Sequence, residues 1–379
     1  MNISEFKNCS NCGACYNLCS VGAIKISDGG LFYKPVVDSS ICVDCGKCVR
    51  VCPVNNELPY KEPVNAYSAV NKDAAVVAAS SSGGAFSALY ESVKAEGGVI
   101  YSAVYSDDFF SVKFDSSDNR DIDEFRRSKY TESLVGEVFS QIHNQLKNSR
   151  KVLFCGTPCQ TAGLKNYLGK DFPSLITCDF SCGGLVSHKI YADYLHSLEK
   201  RYSSRVNDVN FRPKAFGWRI HSVKVSFDNK KSYVKQASLD PYFSAFLYGR
   251  YSIRDYCAKC VINAKHQSDI VLADFWLTKQ ISGEEDDDSG ISLLIAMTEK
   301  GESVIKKASK SLKLKPVPLD KAIYNFKTAK PKDDYISKRK EFLKAFENEG
   351  IFSAGKRMCM VSGIAAIKTR IRGAAKKLS

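Results

Sequence analysis

The 379-residue sequence contains no long apolar segment. No run approaches the roughly 20 apolar residues that are needed to cross a bilayer. The first residues, Met1–Lys7, also lack the apolar stretch of a secretory signal peptide. We therefore expect the chain to work in the cytoplasm, where thiols stay reduced.

Histidine is scarce, with five residues scattered along the chain. No Ser/His/Asp arrangement and no pair of carboxylates stands out, so the sequence predicts no residue for nucleophilic or acid–base catalysis. His188 falls on a predicted helix, and we interpret it as structural.

Cysteine, by contrast, is abundant, with fifteen residues that are mostly paired at short spacings. In a reducing compartment such clusters indicate metal sites and not disulfides. The N-terminal part contains one motif twice: Cys9-x2-Cys12-x2-Cys15-x3-Cys19 and Cys42-x2-Cys45-x2-Cys48-x3-Cys52-Pro53.

This spacing is typical of ferredoxins with two 4Fe-4S clusters. In such proteins three thiolates of each cluster come from one motif and the fourth comes from the other. The sequence therefore predicts one cluster on Cys9, Cys12, Cys15 and Cys52, and a second on Cys42, Cys45, Cys48 and Cys19. The alternative is a pair of zinc sites, but these typically use two cysteine pairs. Ser20 replaces the proline that usually follows the first motif, and that position is not a ligand.

Beyond prolines at positions 53, 59 and 63, strand-like and helix-like segments alternate, which indicates an α/β domain. We predict strands at 66–70, 99–105, 152–155, 175–180, 270–275 and 291–297, and helices around Phe86–Val93 and Leu134–Leu146. The predicted organisation is a small α+β two-cluster ferredoxin-like domain (residues 1–58), an α/β main domain (64–325) and a basic helical tail (326–379). The acidic run at 284–288 is predicted to be a solvated loop.

Six further cysteines fall in the predicted α/β domain: Cys155, Cys159, Cys178, Cys182, Cys257 and Cys260. Two of the pairs lie at the ends of predicted strands, and Cys257-x2-Cys260 forms a short loop. Sites in α/β sheets assemble at strand ends, so these segments could supply four thiolates to another metal centre. A buried, inert thiol is the alternative, and it suits Cys155 and Cys178 best because both lie in or at the end of apolar strands.

An ordered set of motifs extends through this domain: Ser81-Ser82-Gly83-Gly84, Ser128-Lys129-Tyr130-Thr131, Gly156–Leu164, Phe180–Gly184, Phe211–Lys214, Gly217-Trp218, Cys257-x2-Cys260, Ala273–Trp276 and Ser289–Ser292. With these motifs the chain resembles the beta-subunit family of coenzyme F420 hydrogenases and dehydrogenases, in the form fused to a two-cluster ferredoxin domain. The resemblance implies FAD beside a third 4Fe-4S cluster. Carried over motif by motif, the cluster ligands would be Cys159, Cys182, Cys257 and Cys260.

The same resemblance locates the flavin near two motifs, and its contacts would be Ser82, Gly83, Gly84, Ser128, Lys129, Tyr130 and Thr131. A glycine pair that opens a helix can expose backbone N–H groups to a pyrophosphate, although a plain helix start explains it equally well. The charge of Lys129 could favour the reduced, anionic flavin, with an ordinary surface lysine as the alternative.

These features imply an iron–sulfur flavoprotein oxidoreductase that passes electrons between a carrier such as ferredoxin and a substrate. Bacterial relatives with this layout look like companions of surface-polysaccharide enzymes, so polysaccharide biosynthesis is one expected role. Only part of the family uses coenzyme F420, so the resemblance does not imply this deazaflavin here. The alternative is an electron-relay subunit that has no substrate of its own and serves a partner enzyme.

The C-terminal segment is basic, with no acidic residue from Ile351 to Ser379. An apolar stripe at near-helical spacing is interrupted by positive charges: Ile364, Ile367, Ile371, Ala375 and Leu378 among Lys368, Arg370, Arg372, Lys376 and Lys377. Such a helix could lie on an anionic membrane surface, or it could pack on the protein's own body. We do not expect nucleic-acid binding, because no aromatic residue interleaves these charges.

Overall fold

The computed structural model describes residues 2–56, 58–282, 287–326, 333–362 and 365–369. Its strands, in chain order, are β1 (Ile24–Ser27), β2 (Lys34–Val37), β3 (Asn65–Asn71), β4 (Val99–Tyr105), β5 (Val112–Ser116), β6 (Ser133–Leu134), β7 (Val152–Cys155), β8 (Leu175–Phe180), β9 (Val206–Asn210), β10 (Ser222–Phe227), β11 (Ser232–Gln236), β12 (Ile270–Asp274), β13 (Ser292–Ala296) and β14 (Leu312–Pro316). Its α-helices are α1 (Ala14–Leu18), α2 (Lys47–Arg50), α3 (Ala74–Ala79), α4 (Ala85–Lys94), α5 (Ile122–Phe125), α6 (Val138–Lys147), α7 (Pro158–Leu168), α8 (His188–Tyr202), α9 (Pro241–Ser244), α10 (Thr278–Ser282), α11 (Glu299–Ala308), α12 (Leu319–Ala322) and α13 (Tyr335–Met358).

The head, defined as residues 2–56, is built from a repeated loop and helix. Before α1, Asn11 and Gly13 have positive φ angles of 56° and 85°, and before α2, Asp44 and Gly46 have angles of 47° and 66°. Gly, Asn and Asp tolerate this backbone conformation best. The repeat in the sequence is therefore also a repeat of the backbone. The antiparallel pair β1–β2 completes the head.

Within the described residues, nine strands form one mixed sheet in the order β14-β3-β13-β12-β8-β7-β4-β5-β6. The central strands β12, β8, β7 and β4 are parallel neighbours. Every residue of β7 is buried, as expected for a strand that is covered on both faces. The predicted fold class, an α/β main domain preceded by a small ferredoxin-like domain, is confirmed.

Three predicted strands coincide with β4, β7 and β8, and three others overlap β3, β12 and β13. The helix predicted from Leu134 was wrong at its start. Leu134 belongs to β6, and α6 begins only at Val138, after Gly136 has turned the chain with a φ of 58°. The sequence did not predict the separate three-stranded sheet β11-β10-β9, which packs with α8 through residues such as Val225 and Tyr194.

The head is packed against the main sheet domain. Val51 of the head and Ala162 of α7 belong to the same hydrophobic cluster. Asn11 Nδ2 donates to the carbonyl oxygen of Ser133 at 3.1 Å, and Asn166 Nδ2 donates to that of Val51 at 3.1 Å. These contacts fix the head against α7 and β6.

Helix α13 packs on the body of the protein. Phe342 and Ile351 are fully buried, and the backbone N–H of Ile351 donates to Asp193 Oδ2 at 2.9 Å. The helix kinks at Gly350, where φ is 75°. The predicted helical tail is therefore, over this range, part of the folded body.

The predicted membrane-binding stripe falls mainly outside the described residues. Ile367 is 56% exposed. The rest of the stripe, apart from Lys368, is outside the described ranges: Ile364, Arg370, Ile371, Arg372, Ala375, Lys376, Lys377 and Leu378. Attachment to an anionic membrane surface stays a prediction. No helix in the described part of the chain combines the length and apolar character that are needed to cross a bilayer.

Candidate redox site

Two cavities in the head are each lined by four cysteines. Cys9, Cys12, Cys15 and Cys52 line the first, which we call the inner group. Cys19, Cys42, Cys45 and Cys48 line the second, which we call the outer group. These sets of four are the ones proposed from the sequence, with one cysteine of each motif reaching across to the other.

The inner group is shielded from solvent, since Cys12, Cys15 and Cys52 are all buried. Burial raises the pKa of Cys12 well above its usual range, and the backbone N–H of Ala14 acts in the opposite direction. The backbone N–H of Asn11 lies 3.3 Å from Cys9 Sγ. N–H donors aimed at sulfur favour the thiolate, which is the form that binds iron, so these residues fit an iron–sulfur cluster.

The outer group lies at the protein surface, and Cys45 is exposed. Its surroundings are unusually apolar for a surface, because Val21, Ile41 and Val43 are 43%, 46% and 64% exposed. Arg50 closes the loop from one side and donates to the carbonyl oxygen of Cys45 at 3.0 Å.

A third group of cysteines, Cys159, Cys182, Cys257 and Cys260, comes together at one edge of the main sheet. Because β7 and β8 are parallel neighbours, their carboxyl ends meet at this edge and bring Cys159 close to Cys182. Cys257 and Cys260 come from the short 3-10 helix Tyr256–Lys259 and its C-terminal end.

The electrostatics of the third group reflect this proximity. Burial, together with the neighbouring Cys159 thiol, raises the pKa of Cys182 to about 12. Burial also raises the pKa of Cys257 to about 12, helped by Cys182 and Cys260. Gly184 N and Leu185 N lie 3.4 Å from the sulfurs of Cys182 and Cys257. Buried thiols with N–H donors fit metal ligands, because a metal replaces the proton that burial retains.

Cys155 and Cys178 form a separate pair inside the sheet. They are register partners on β7 and β8. Cys178 is fully buried, and burial together with Cys155 raises its pKa well above the usual range. Cys155 and Cys178 are also the two cysteines that the sequence placed in apolar strands and left out of the third group.

Across the described residues, no three His, Cys, Asp or Glu side chains are placed closely enough to hold a single metal ion. A 4Fe-4S cluster is a cuboid of eight atoms, so its ligands surround a larger volume than those of one ion.

A cavity of about 340 Å³ adjoins the third group. Cys182 lines this cavity and belongs to the third group at the same time. The aromatic side chains of Phe180, Phe246 and Trp276 form part of the wall. Its volume and mixed lining are typical of a small-molecule site.

Six of the seven predicted flavin-binding residues line this cavity: Ser82, Gly84, Ser128, Lys129, Tyr130 and Thr131. Gly84 is the N-cap of α4, where no side chain caps the helix. The first residues of α4, Ala85 and Phe86, also line the cavity, so the N-terminus of the helix is available to an anionic group.

Gly83 is the exception, because it does not line the cavity. Its N–H donates to Ser292 Oγ at 3.0 Å. A Cβ atom at Gly83 would come within 2.4 Å of the carbonyl oxygen of Ala69. Close packing of the chain against β3 and β13 therefore explains this glycine, and its N–H is not available to a pyrophosphate.

Lys129 is partly buried at the cavity wall. Its Nζ donates to three backbone carbonyls at the end of α5, those of Phe125, Arg126 and Arg127, at 3.1–3.4 Å. Burial, with a contribution from the Arg127 charge, lowers the pKa of Lys129 to about 7. Near neutral pH, Lys129 is therefore protonated in only part of the molecules, whereas a surface lysine is fully charged.

Sequence reasoning missed a buried ion pair between Glu132 and Arg254, which are 122 residues apart in the chain. The sequence signals near the pair are two motifs: Glu132 directly follows Ser128–Thr131, and Arg254 precedes Cys257-x2-Cys260 by three residues. Glu132 Oε1 also lies 2.7 Å from His188 Nδ1, and the His188 ring stacks on Tyr33 of the head at 3.9 Å. The structural interpretation of His188 agrees with these contacts.

Comparison with known proteins gives the domains a family. Residues 149–322 match the model of the C terminus of the coenzyme F420 hydrogenase/dehydrogenase beta subunit. Two 4Fe-4S dicluster models match residues 8–56 and 34–82. No curated protein matches the chain.

Among solved structures, one match is a chain of the F420-reducing [NiFe] hydrogenase complex from Methanosarcina barkeri, studied by xenon derivatization. It is 17% identical, the match covers 80% of this chain and 97% of that one, and the TM-score is 0.48. The family models and the cysteine motifs together identify residues 8–56 as a 4Fe-4S dicluster domain and residues 149–322 as a domain of the type found at the C terminus of coenzyme F420 hydrogenase/dehydrogenase beta subunits.

Proposed function

We propose that this protein is an iron–sulfur flavoprotein oxidoreductase that passes electrons between a one-electron carrier and a substrate. The proposal rests on one observation: the three cysteine groups and the cavity lie next to one another in a row. The row runs from the exposed outer group, through the inner group and the third group, to the cavity.

Each step of this row is supported by the proximity of residues from neighbouring groups. Cys48 of the outer group acts electrostatically on Cys15 of the inner group. Cys12 of the inner group lies against Gly163 of α7, where a Cβ atom would be 3.2 Å from Cys12 Sγ. Cys159 Sγ of the third group lies 3.5 Å from the carbonyl oxygen of Ser10.

When bound, 4Fe-4S clusters supply one-electron transfer, and a flavin would join one-electron to two-electron chemistry. The three cysteine groups would hold the clusters, with the third cluster on Cys159, Cys182, Cys257 and Cys260. Ser82, Gly84, Ser128, Tyr130 and Thr131 would hold FAD, and the uncapped N-terminus of α4 would suit its anionic phosphates. The buried cysteines of the two groups, Cys12, Cys15, Cys52, Cys159 and Cys257, would limit the access of water to this route.

The outer group is the proposed contact point for the carrier, because Cys45 is the one exposed cysteine among the described residues. Three exposed basic residues lie close to it, Lys25, Lys47 and Arg50, against the acidic Asp38 and Asp44. Apolar side chains such as Val43, ringed by net positive charge, suit a weak and transient complex with an acidic redox protein such as ferredoxin.

Participation in surface-polysaccharide biosynthesis remains the proposed setting, by resemblance alone. The second candidate function is an electron-relay subunit that serves a partner enzyme. The exposed outer group favours a protein partner at one end of the row. The cavity favours a small molecule at the other end.

A matched cysteine pair tests the third cluster. We expect Cys260→Ser to lose about four irons per chain, because it removes one ligand of the third group. Cys155→Ser is the control, because this buried thiol lies outside the group, and it should keep its iron. Iron loss from the control but not from Cys260→Ser would reject the assignment.

A turnover experiment separates the two candidate functions. Anaerobic protein with bound flavin is reduced by an artificial donor, and reoxidation of the flavin is followed with small-molecule acceptors alone. Reoxidation by a small acceptor supports an enzyme with its own substrate. Reoxidation that needs a second protein supports the relay subunit.

A further inference from the structure

Arg254 occupies a buried position between the inner group and the third group. Its side chain is 4% exposed. Its Nε donates to the carbonyl oxygen of Cys9 at 3.0 Å, and one terminal nitrogen donates to that of Tyr33 at 2.7 Å. Along the chain, Arg254 lies three residues before Cys257, which belongs to the third group.

The charge of Arg254 is balanced by Glu132, whose side chain is fully buried. The electrostatic neighbours of the guanidinium are, in order, Glu132, Cys9 and Cys257. One ligand from each of two cysteine groups is therefore within reach of the same buried cation. In a low-dielectric interior such a charge acts more strongly than at the surface.

We propose that Arg254 is a positioning residue that sets the reduction potential of the clusters on either side of it, and that Glu132 limits this effect. Reduction adds one negative charge to a cluster, so a neighbouring cation stabilises the reduced state and raises the potential. Glu132 acts in the opposite direction. For the third group this inference rests on the proposed function, whereas for the inner group it rests on the dicluster domain.

The charges predict shifts of opposite sign. Arg254→Gln removes the cation and leaves the Glu132 charge, so the potential of the inner cluster should fall. Glu132→Gln leaves the cation unbalanced, so the potential should rise. A tenfold change in the reduction equilibrium corresponds to 59 mV for a one-electron couple, and we expect shifts of about this size. The double variant should return close to the parent.

The test is a redox titration of the full-length holoprotein, monitored by electron paramagnetic resonance. The outer cluster serves as an internal reference, because its ligands do not touch Arg254. Arg254→Lys keeps the positive charge but loses the paired hydrogen bonds to the head. It therefore separates the effect of the charge on the potential from the effect of the hydrogen bonds that hold the head in place. It should stay closer to the parent than Arg254→Gln does.

Opposite shifts in the two single variants, with recovery in the double variant, support the inference. Shifts of the same sign, or no shift of the inner cluster in Glu132→Gln, overturn it, because a purely structural role predicts equal damage from both. If Arg254→Gln does not fold, the rise in the potential of the inner cluster that is expected in Glu132→Gln still tests the inference. If the parent protein holds only about eight irons, the third cluster is absent. The potential of the inner cluster would still test the role of Arg254.

Discussion

The inner and outer groups of the head use the same cysteine spacing and the same two left-handed backbone positions, yet they lie in different surroundings. Cys12 and Cys15 are buried against the main sheet domain, whereas Cys45 is exposed among apolar side chains. The motif thus determines which ligands converge. The packing around the motif determines which group can meet a partner and which is electrostatically coupled to the rest of the protein.

Removing one ligand from each group should give the largest difference between the inner and outer groups. We expect Cys12→Ser and Cys45→Ser each to lose about four irons. Cys12→Ser should also lower the temperature of unfolding substantially, because Cys12 packs against Gly163 of α7 and cluster binding by its group would contribute to folding.

The measurement is anaerobic thermal unfolding alongside iron quantification. Cys45→Ser should unfold close to the parent, since its group touches mainly the head itself. Equal destabilisation of the two variants would show that the two groups are not distinguished by their surroundings.

Gly163→Ala sharpens the comparison without touching a ligand. A Cβ atom there would lie 3.1 Å from Cys12 Cβ and 3.3 Å from the Cys12 carbonyl oxygen. In an ordinary helix position Ala would be favourable, but overpacking of this kind costs about 1–3 kcal/mol.

Chemical denaturation under anaerobic conditions measures the effect. Gly30→Ala is the control in the head, because its new Cβ would meet nothing closer than 3.7 Å. A stabilising Gly163→Ala would contradict the close contact between the inner group and α7.

These contacts also mark what the sequence could predict. The crossed assignment of Cys19 and Cys52 follows from spacing alone, and β7 and β8 follow from apolar runs between polar loops. The choice of Cys159 over Cys155 needed the strand argument and the family resemblance, because spacing does not indicate which one faces Cys257.

The remainder depends on tertiary packing. The sequence predicts that Gly83 belongs to a phosphate-binding loop. Its close contact with Ala69 could not be predicted, because it forms only when β3 is in the sheet. Glu132 and Arg254 meet across 122 residues, so no local pattern could join them. The three-stranded sheet was missed although β10 alternates polar and apolar residues, because β9 and β11 do not keep this pattern.

At the buried end of the row, Lys129 should make flavin reduction depend on pH. Burial lowers its pKa to about 7, so the side chain is charged below that pH and loses its charge above it. The charge favours the reduced flavin, so Lys129→Met should lower the flavin potential below about pH 7 and have little effect above about pH 8.

Spectroelectrochemical titration of the bound flavin across this range measures the difference, which we expect to reach about tenfold in the reduction equilibrium. A difference between parent and variant that stays constant across the range would exclude Lys129 as the titrating group.

The smallest effect is expected at the exposed end. Lys47→Gln should slow electron transfer from an acidic carrier by about two- to threefold at low salt, because one attractive surface charge is removed. The difference should disappear at high salt. Lys310→Gln, which changes an exposed lysine after α11, is the control. Equal slowing by both variants would argue against a carrier site at the outer group.

Cofactor stoichiometry decides whether three cysteine groups and a flavin site form one row. Iron, acid-labile sulfide and flavin are quantified in the anaerobically purified protein. We expect about twelve irons, about twelve sulfides and about one flavin per chain. About eight irons without flavin would leave only the head as a redox module and would rule out the row.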